Sequence, residues 1–207
     1  MRLPKPTEGG EFERVPEGNW PGRCYRVIDL GTQRTTYNGE TREKHQVMLG
    51  WELYDEECVM KTGPKAGMPM SAHSTYTWSM HEKSGLRKML ESWRGSKFVE
   101  SDFGDDGFDM KKLLAVPCMI QIIHNDKGYA NVGSVTKPPK GLAIGQLQNP
   151  TVFISLEAGE FDAQAFDTLS DKVKEKIKNS PEYQRLAYAG SKASGYNKEL
   201  ADEDIPF

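Results

Sequence analysis

The sequence has few cysteines and no long apolar run. Its three cysteines, Cys24, Cys58 and Cys118, form no Cys-x-x-Cys pair, which argues against a thiolate zinc site or a dense disulfide framework. No stretch approaches the roughly 20 apolar residues that span a bilayer, and residues 1–18 lack the apolar centre of a signal peptide. An odd cysteine count without a secretion signal predicts reduced thiols and a cytoplasmic protein. Cys24 and Cys118 lie in apolar runs and are predicted core residues.

Motifs of the common enzyme classes are also missing. The sequence contains no GxGxxG, Walker, HExxH or GxSxG motif, and its four histidines show no zinc-ligand spacing with the cysteines. Asp102, Asp105, Asp106 and Asp109 could hold a divalent ion in a nuclease, but Leu113 stands where a calcium loop requires a bidentate Glu. We therefore expect no enzymatic activity, no cofactor and no metal, with a metal-dependent nuclease as the less favoured alternative.

Charge is distributed unevenly along the 207 residues, a length that allows one domain with an appendage or two small domains. Acidic and basic residues balance over residues 1–137, so the net charge of −3 arises within residues 138–207. This balance argues against indiscriminate polyanion binding. It leaves open a groove lined on one face by basic residues, because composition does not report clustering in space.

Residues 23–137 are predicted to form a β domain with one helix, after an extended arm over residues 1–22. Asn38-Gly39 is a strong hairpin signal between the first two strands. A Ser84 cap, apolar residues at helical spacing and Gly95 predict the helix. Alternating or β-branched and aromatic residues predict strands over residues 23–30, 44–54, 71–80, 116–124 and 129–136.

This order of elements predicts an OB-fold. Three strands, a helix and two further strands are the order of that five-stranded Greek-key barrel. An SH3-like barrel or a β-sandwich would also fit, but the helix between strands three and four favours the OB-fold. The predicted fold class is thus mainly β, with a small helical appendage at the C-terminal end.

The chain after the barrel is predicted to be less compact. Pro138 and Pro139 end the domain, because consecutive prolines cannot continue a central strand. Residues 138–160 are predicted as a linker with one extended piece over 151–156, and residues 161–186 as two short helices. Residues 187–207, which contain Gly, Ser, Lys and Asn, are predicted as a flexible tail.

A barrel that binds single-stranded nucleic acid needs aromatic faces for the bases and cations for the phosphates. In an OB-fold these lie on strands two and three and in the neighbouring loops. Trp51 is also a candidate for core packing, because it shares a face with Val47 and Leu49. The candidate DNA-binding residues are Arg34, Tyr37, Arg42, Lys44, Trp51, Lys61, Lys65, Tyr76, Trp78, Lys127 and Tyr129.

The last six residues form a candidate partner-binding site. They are Asp202, Glu203, Asp204, Ile205, Pro206 and Phe207. A carboxylate on an aromatic residue suits a basic pocket with an apolar floor, and the three acids would steer the encounter. The string resembles the C-terminal tip of bacterial single-stranded-DNA-binding proteins, a resemblance that implies recruitment of replication and repair enzymes.

Several short segments resemble a group of bacteriophage replication proteins. They are Glu17-Gly18, residues 28–33, Trp51-Glu52-Leu53, Phe161-Asp162, Leu169 and residues 177–183. The resemblance implies a phage-encoded OB-fold protein that coats single-stranded DNA during replication or recombination in the host cytoplasm. The alternative is an adaptor or decoy that engages host enzymes through the tip without strong DNA binding.

Overall fold

We describe the fold from a computed structural model of the chain. The structure describes residues 13–37, 39–103 and 107–189, and the side chain of Tyr37 is outside this description. The predicted C-terminal tip and most of the predicted arm therefore lie outside the described residues. None of the helices in the described ranges is long and apolar enough to cross a membrane.

A long antiparallel hairpin organises the domain. Strand β1 (Gly18–Tyr37) pairs with β2 (Glu40–Leu53), and the turn contains Gly39 with a φ of 79°. This left-handed conformation suits the predicted Asn-Gly turn, because glycine adopts it without a Cβ clash. Register shifts at Cys24/Arg26 and at Asp29/Gly31 bend β1. The two halves of β1 can therefore pair with different strands.

The sheet has six strands and is mostly antiparallel. Its path runs β3-β2-β1-β4-β5, where β3 is Ser71–Thr77, β4 is Pro117–His124 and β5 is Ala130–Thr136. The sixth strand, β6 (Val152–Ile154), pairs in parallel with β1. The hydrogen-bonded path does not close within the described residues, although β3 and β5 approach each other. The structure is thus mainly β, as predicted, with an open ladder where a closed barrel was expected.

The first helix, α1 (Gly85–Arg94), follows β3 and packs against β3 and β5. The Ser84 hydroxyl accepts a hydrogen bond from the Arg87 amide, and Gly95 ends the helix in the left-handed conformation. These are the start and stop signals expected from the sequence. The apolar stripe of the helix faces the main core through Leu86, Met89, Leu90 and Trp93.

The main core lies between the inner faces of β1, β2, β3 and β4 and helix α1. Val47, Leu49 and Trp51 alternate along β2 and are fully buried there. Cys24 and Cys118 are also buried and free, as expected for small core residues. Desolvation raises the pKa of the Cys24 thiol to about 12, which leaves it protonated and inert at neutral pH.

A second core forms where the C-terminal elements pack on the other side of β1. Ile28 and Leu30 of β1 join apolar residues of β6 and of three helices. Gly31 is needed here, because its φ is 67° and Ser180 and Glu182 lie so close that a Cβ on residue 31 would be 2.5 Å from the Ser180 Cβ. The helices are α2 (Ala163–Asp167), α3 (Asp171–Lys178) and α4, which covers residues 181–189.

Two predicted segments have more structure than their composition indicates. Residues 18–22, predicted as part of the arm, belong to β1 and pair with β4. Residues 144–149 of the predicted linker are held by Arg23, whose guanidinium donates to two carbonyls, and by Glu52. Both sets of contacts join residues about a hundred positions apart, which local patterns do not report.

Candidate nucleic-acid interface

The surface of β2 and β3 that faces away from the main core is the candidate interface, here called the outer face. Directly paired residues of two strands share one side of a sheet. The pairs Val47–Tyr76 and Leu49–Ser74 point towards the core, so the alternate pairs point outwards. The outer face comprises Gln46, Met48, Gly50, Glu52, Ser71, His73, Thr75 and Thr77. Met48 packs against the second core, and Gly50 and Glu52 are buried, so the most exposed residues of this face are His73, Thr75 and Thr77 of β3.

One end of the outer face carries the tip of the β1–β2 hairpin, here called the hairpin end. Arg34 and Arg42 are exposed there, but each already contacts a carboxylate. The Nε of Arg34 lies 2.9 Å from Glu43, and an Nη of Arg42 lies 2.9 Å from Glu40. Such exposed pairs contribute only about 0–1 kcal/mol, so a phosphate can replace the carboxylate at little cost. A groove of about 250 Å³ is lined here by residues of β1, β2 and β3: Thr35, Glu40, Arg42, Lys44, Gln46, Thr75, Tyr76 and Thr77.

Trp78 is the aromatic residue at the hairpin end that is best placed for stacking. It follows β3 directly, donates its backbone N–H to the His45 carbonyl, and keeps 41% of its surface exposed. Its indole packs on the His45 ring with centroids 5.4 Å apart. Trp78 continues the inward series of Ser74 and Tyr76 and lines a cavity with Val27 and Met110, so it lies at the inner side of the sheet edge. Its exposed surface is the area available for a base.

His45 is held by a carboxylate. Its Nε2 lies 2.6 Å from Oδ1 of Asp29, which also accepts the Gly31 amide hydrogen. The hydrogen bond to Asp29 raises the pKa of His45, partly opposed by desolvation, and Glu182 adds to the rise. A protonated His45 beside Trp78 would add positive charge next to the proposed stacking site.

Two of the predicted stacking residues are positioned differently. Trp51 has none of its surface exposed and packs edge-on against Trp93 at 6.1 Å, so it belongs to the core and offers no face to a base. Tyr76 is half-buried, and its side chain packs against the main core from the inner side of β3. The Tyr37 backbone ends β1 at the hairpin, and its side chain lies outside the described residues.

The opposite end of the outer face carries the other predicted cations, and we call it the loop end. Lys61 and Lys65 are exposed in the loop between β2 and β3, and Lys127 and Tyr129 are exposed in the β4–β5 turn. Residues 13 and 14 connect the two loops. Glu13 accepts from the Lys61 amide at 2.6 Å, and Arg14 donates to the Gly128 carbonyl at 2.9 Å.

The predicted residues therefore form two groups rather than one cluster. The β2–β3 ladder between the two ends runs from Gln46–Thr77 to Glu52–Ser71. Six steps of about 3.3 Å separate these pairs by about 20 Å. An extended strand of nucleic acid that contacts both groups would have to cross the whole outer face.

The middle of the outer face contains residues that the sequence did not indicate. Arg26 pairs with Gly50, and Gly50 pairs with His73, so that the three lie in one row across β1, β2 and β3. Tyr25 lies at the adjacent register shift, and its hydroxyl is 3.1 Å from Nε2 of His73. The bulge breaks the alternation of β1, which is why the direction of Arg26 could not be inferred from the pattern.

A cavity on another side of Trp78 is acidic. It has a volume of about 520 Å³, and four carboxylate residues line it: Asp29, Asp109, Glu157 and Glu160. These carboxylates disfavour a phosphate backbone there. If a base stacks on Trp78, electrostatics directs the attached backbone towards Lys44 and the outer face.

The predicted aspartate stretch performs structural roles where it is described. Asp102 accepts from Arg94 at 2.6 Å and from the Val99 amide, and Asp109 caps the short 3-10 turn that follows it. The hydrogen bonds from Arg94 and Val99 lower the pKa of Asp102. Asp105 and Asp106 lie outside the described residues. Within the described ranges, no group of three or more His, Cys, Asp or Glu side chains is placed to hold a metal ion.

Comparison of the chain with protein-family models and with curated protein sequences finds no match.

Proposed function

We propose that the chain is a single-stranded-DNA-binding protein with an OB-fold. The strand order β3-β2-β1-β4-β5, with α1 between β3 and β4, supports this fold. OB-folds are partly open Greek-key barrels that bind oligonucleotides on strands two and three and on the loops that flank them. The approach of β3 to β5 is compatible with such a partly open barrel.

The observation that carries the proposal is the exposed indole of Trp78 at the hairpin end of β2 and β3. A base stacked on an aromatic side chain contributes about 1–3 kcal/mol, with little dependence on sequence. Trp78 lies at one end of the face, and Tyr129, with 62% of its surface exposed, lies at the other. Lys44, Lys61, Lys65 and Lys127 supply cations near the same two ends.

Single strands are favoured over duplex because only unpaired bases present free faces to Trp78 and Tyr129. The affinity depends on salt, since phosphates displace counterions and the carboxylates of Glu40 and Glu43. In cells this activity would coat and protect single-stranded DNA during phage replication or recombination in the bacterial cytoplasm. It involves no catalysis and no cofactor.

The C-terminal tip, Asp202 to Phe207, provides the second half of the proposed function. Its acidic residues and terminal aromatic carboxylate suit a basic pocket with an apolar floor on a replication or repair enzyme. Eighteen residues follow Ala189 in the chain. Fully extended, they span up to about 60 Å, which is enough to place the tip beyond the domain surface.

Fluorescence anisotropy of a labelled oligo(dT) with the full chain tests the DNA-binding proposal. We expect saturable binding that weakens with salt and that unlabelled single strands compete far better than duplex of equal length. Equal competition by duplex would contradict the proposed base stacking. Absence of binding at low salt, together with capture of replication enzymes by the tip, would support the adaptor function instead.

A further inference from the structure

We propose that Arg26, with Tyr25, Gly50 and His73, forms a binding site for one phosphodiester group at the centre of the outer face. This inference rests on the proposed function and specifies which part of the DNA the middle of the face contacts. It assigns the site to the sugar-phosphate backbone, whereas Trp78 and Tyr129 would take bases at the two ends.

Arg26 is distinguished from the other arginines by its lack of partners. In the described part of the chain, its guanidinium has no hydrogen-bond acceptor and no carboxylate in ion-pair range, and its Nε is buried without a partner. A buried donor without an acceptor is costly, and native proteins rarely contain one without a reason. The other described arginines, Arg14, Arg23, Arg34, Arg42, Arg87, Arg94 and Arg185, each donate to a carbonyl or a carboxylate.

The neighbours of Arg26 hold it in place without neutralising it. Its guanidinium carbon lies 4.9 Å from the centroid of the Tyr25 ring, which supports the cation from one side. His73 keeps an exposed edge. Its pKa is nevertheless lowered to about 4, chiefly by desolvation and to a lesser extent by the charge of Arg26. His73 is therefore neutral at pH 7, and the positive charge of the site comes from Arg26.

Gly50 lets the side chains of Arg26 and His73 approach each other closely. A Cβ on Gly50 would lie 2.7 Å from a ring carbon of His73 and 3.1 Å from the Cβ of Arg26. Any larger residue would thus displace one of the two. The absence of a side chain lets Arg26 and His73 pack side by side in the row Arg26–Gly50–His73, where Arg26 is half-buried and His73 is exposed.

The nearest acid on the same side of β2 does not compete for Arg26. Both oxygens of Glu52 accept hydrogen bonds, from the amides of Gln148 and Asn149, from the Asn149 side chain and from the Tyr54 hydroxyl. Its charge is therefore already compensated by hydrogen bonds from elsewhere. A planar guanidinium that lacks a carboxylate is suited to paired hydrogen bonds with phosphate oxygens.

The position of the site favours a phosphodiester over a free anion. Arg26 lies on the row between the hairpin end and the loop end, about 13 Å from the Gln46–Thr77 pair and about 7 Å from the Glu52–Ser71 pair along the ladder. A DNA strand that contacts both ends must carry its backbone past this row. A single free anion or the carboxylate of the C-terminal tip would use Arg26 alone and gain nothing from the two ends.

The test is the salt dependence of oligo(dT) binding by the full chain, its Arg26→Gln and Arg26→Lys variants, and a Lys172→Gln control. Lys172 is exposed on α3, so this control matches the charge change away from the outer face. We expect Arg26→Gln to weaken binding about tenfold at low salt and to reduce the slope of log K against log salt by about one. Arg26→Lys should keep the slope and lose part of the affinity, and Lys172→Gln should bind as the wild type does.

Three further readouts make the result decisive. The loss of affinity caused by Arg26→Gln should be equal for oligo(dT), oligo(dA) and an abasic strand, because all three share the sugar-phosphate backbone. The same loss of affinity should be seen when residues 202–207 are removed. That result would exclude the C-terminal tip as the ligand of the Arg26 site. The Tm of Arg26→Gln should stay close to that of the wild type, because the guanidinium forms no hydrogen bond in the described structure.

The failure of this inference is distinguishable from failure of the proposed function. A wild-type chain that does not bind oligo(dT) refutes the proposed function itself. A wild type that binds, with an Arg26→Gln variant of the same affinity and slope, refutes only the phosphate site. A site saturated by inorganic phosphate as readily as by the oligonucleotide, followed through the His73 ring resonance, would identify a free-anion site instead.

Discussion

His45 Nε2 and Asp29 Oδ1 are 2.6 Å apart at the hairpin end, and this contact joins β2 to β1 directly beneath Trp78. Asp29 is almost fully buried, whereas His45 is partly exposed. The pair therefore connects the charge state of one imidazole with both the stability of the hairpin and the surroundings of the proposed stacking residue.

We predict a pH-dependent contribution of His45 to stability. The pKa of His45 is raised above its ordinary value of 6.5, chiefly by its hydrogen bond to Asp29. A group whose pKa rises on folding stabilises the protein fully below its unfolded-state pKa, and the contribution disappears as the pH rises through the folded-state value. The difference in Tm between wild type and His45→Gln should thus be largest below pH 6.5 and shrink at higher pH.

The contribution of the His45–Asp29 pair to the free energy of unfolding is expected to be at most about 1 kcal/mol, because His45 is partly exposed and solvent screens the pair. Thermal unfolding of both proteins across pH 5.5–8.5 measures it. His81 is exposed and forms no ion pair in the described structure, so His81→Gln serves as the control. A Tm difference that grows with pH would show that the protonated ring does not stabilise the fold.

We predict that Trp78→Ala weakens binding of oligo(dT) without unfolding the domain. Loss of one stacked base costs about 1–3 kcal/mol, or roughly 5- to 150-fold in affinity. The exposed indole contributes little to the core, so the Tm should change only slightly. Binding isotherms and thermal melts of the same preparation provide both measurements.

Trp93→Ala is the contrasting variant. Trp93 is buried in the main core and donates its ring N–H to the Pro117 carbonyl at 2.8 Å. Its removal should cost about 3–5 kcal/mol of stability. If Trp78→Ala lowers the Tm as much as Trp93→Ala and the folded fraction keeps its DNA affinity, then Trp78 has a structural role only.

We predict that Glu52→Gln loosens the segment over residues 144–149. A glutamine keeps the size of the side chain but loses the charge and replaces one acceptor oxygen by an NH₂ group opposite the donors of Gln148 and Asn149. The unfolding free energy should fall by about 1–3 kcal/mol. Amide hydrogen exchange at residues 148 and 149 should accelerate, while exchange within α1 stays nearly unchanged. Glu56 is exposed, so Glu56→Gln serves as the control. An equal effect of both variants would show that the hydrogen bonds of Glu52 do not hold residues 144–149 in place.

We predict that deletion of Asp202 to Phe207 abolishes partner recruitment and leaves the domain folded. The deletion removes three acids and the aromatic carboxylate, which together form the proposed anchor. DNA affinity should stay the same or rise slightly at low salt, where repulsion by the acids is least screened. A pull-down from host extract with the full chain, the deletion and Phe207→Ala checks this. A deletion that loses DNA binding and keeps its protein partners would reverse the roles assigned to domain and tip.

Elements with local signals could be predicted from the sequence. The Asn-Gly turn predicts the β1–β2 hairpin, and the Ser84 cap and Gly95 define α1 almost to the residue. Both rest on interactions within a few positions along the chain: a turn that needs a positive φ and a cap that satisfies free amide groups. The order of the first five strands and α1 along the chain could be predicted from the same kind of signal.

Features that depend on distant pairing could not be predicted in the same way. Pro21 and Gly22 resemble loop residues, yet they belong to β1 because β4 pairs with them. The alternation of Val47, Leu49 and Trp51 placed these residues on one face and indicated core packing for Trp51, although Trp51 was also kept as a candidate for base stacking. The outward direction of Arg26 depends on a bulge, and its lack of a partner is a property of the assembled sheet.

The most direct test of the central claim is to map where single-stranded DNA contacts the chain by photocrosslinking a 5-iodouracil oligonucleotide and sequencing the crosslinked peptides. We predict crosslinks at Trp78 at the hairpin end and at Tyr129 at the loop end, both competed by unlabelled oligo(dT) and both reduced at high salt. Crosslinks confined to helices α2, α3 and α4, or none at concentrations where anisotropy reports binding, would contradict an interface on the outer face of β2 and β3.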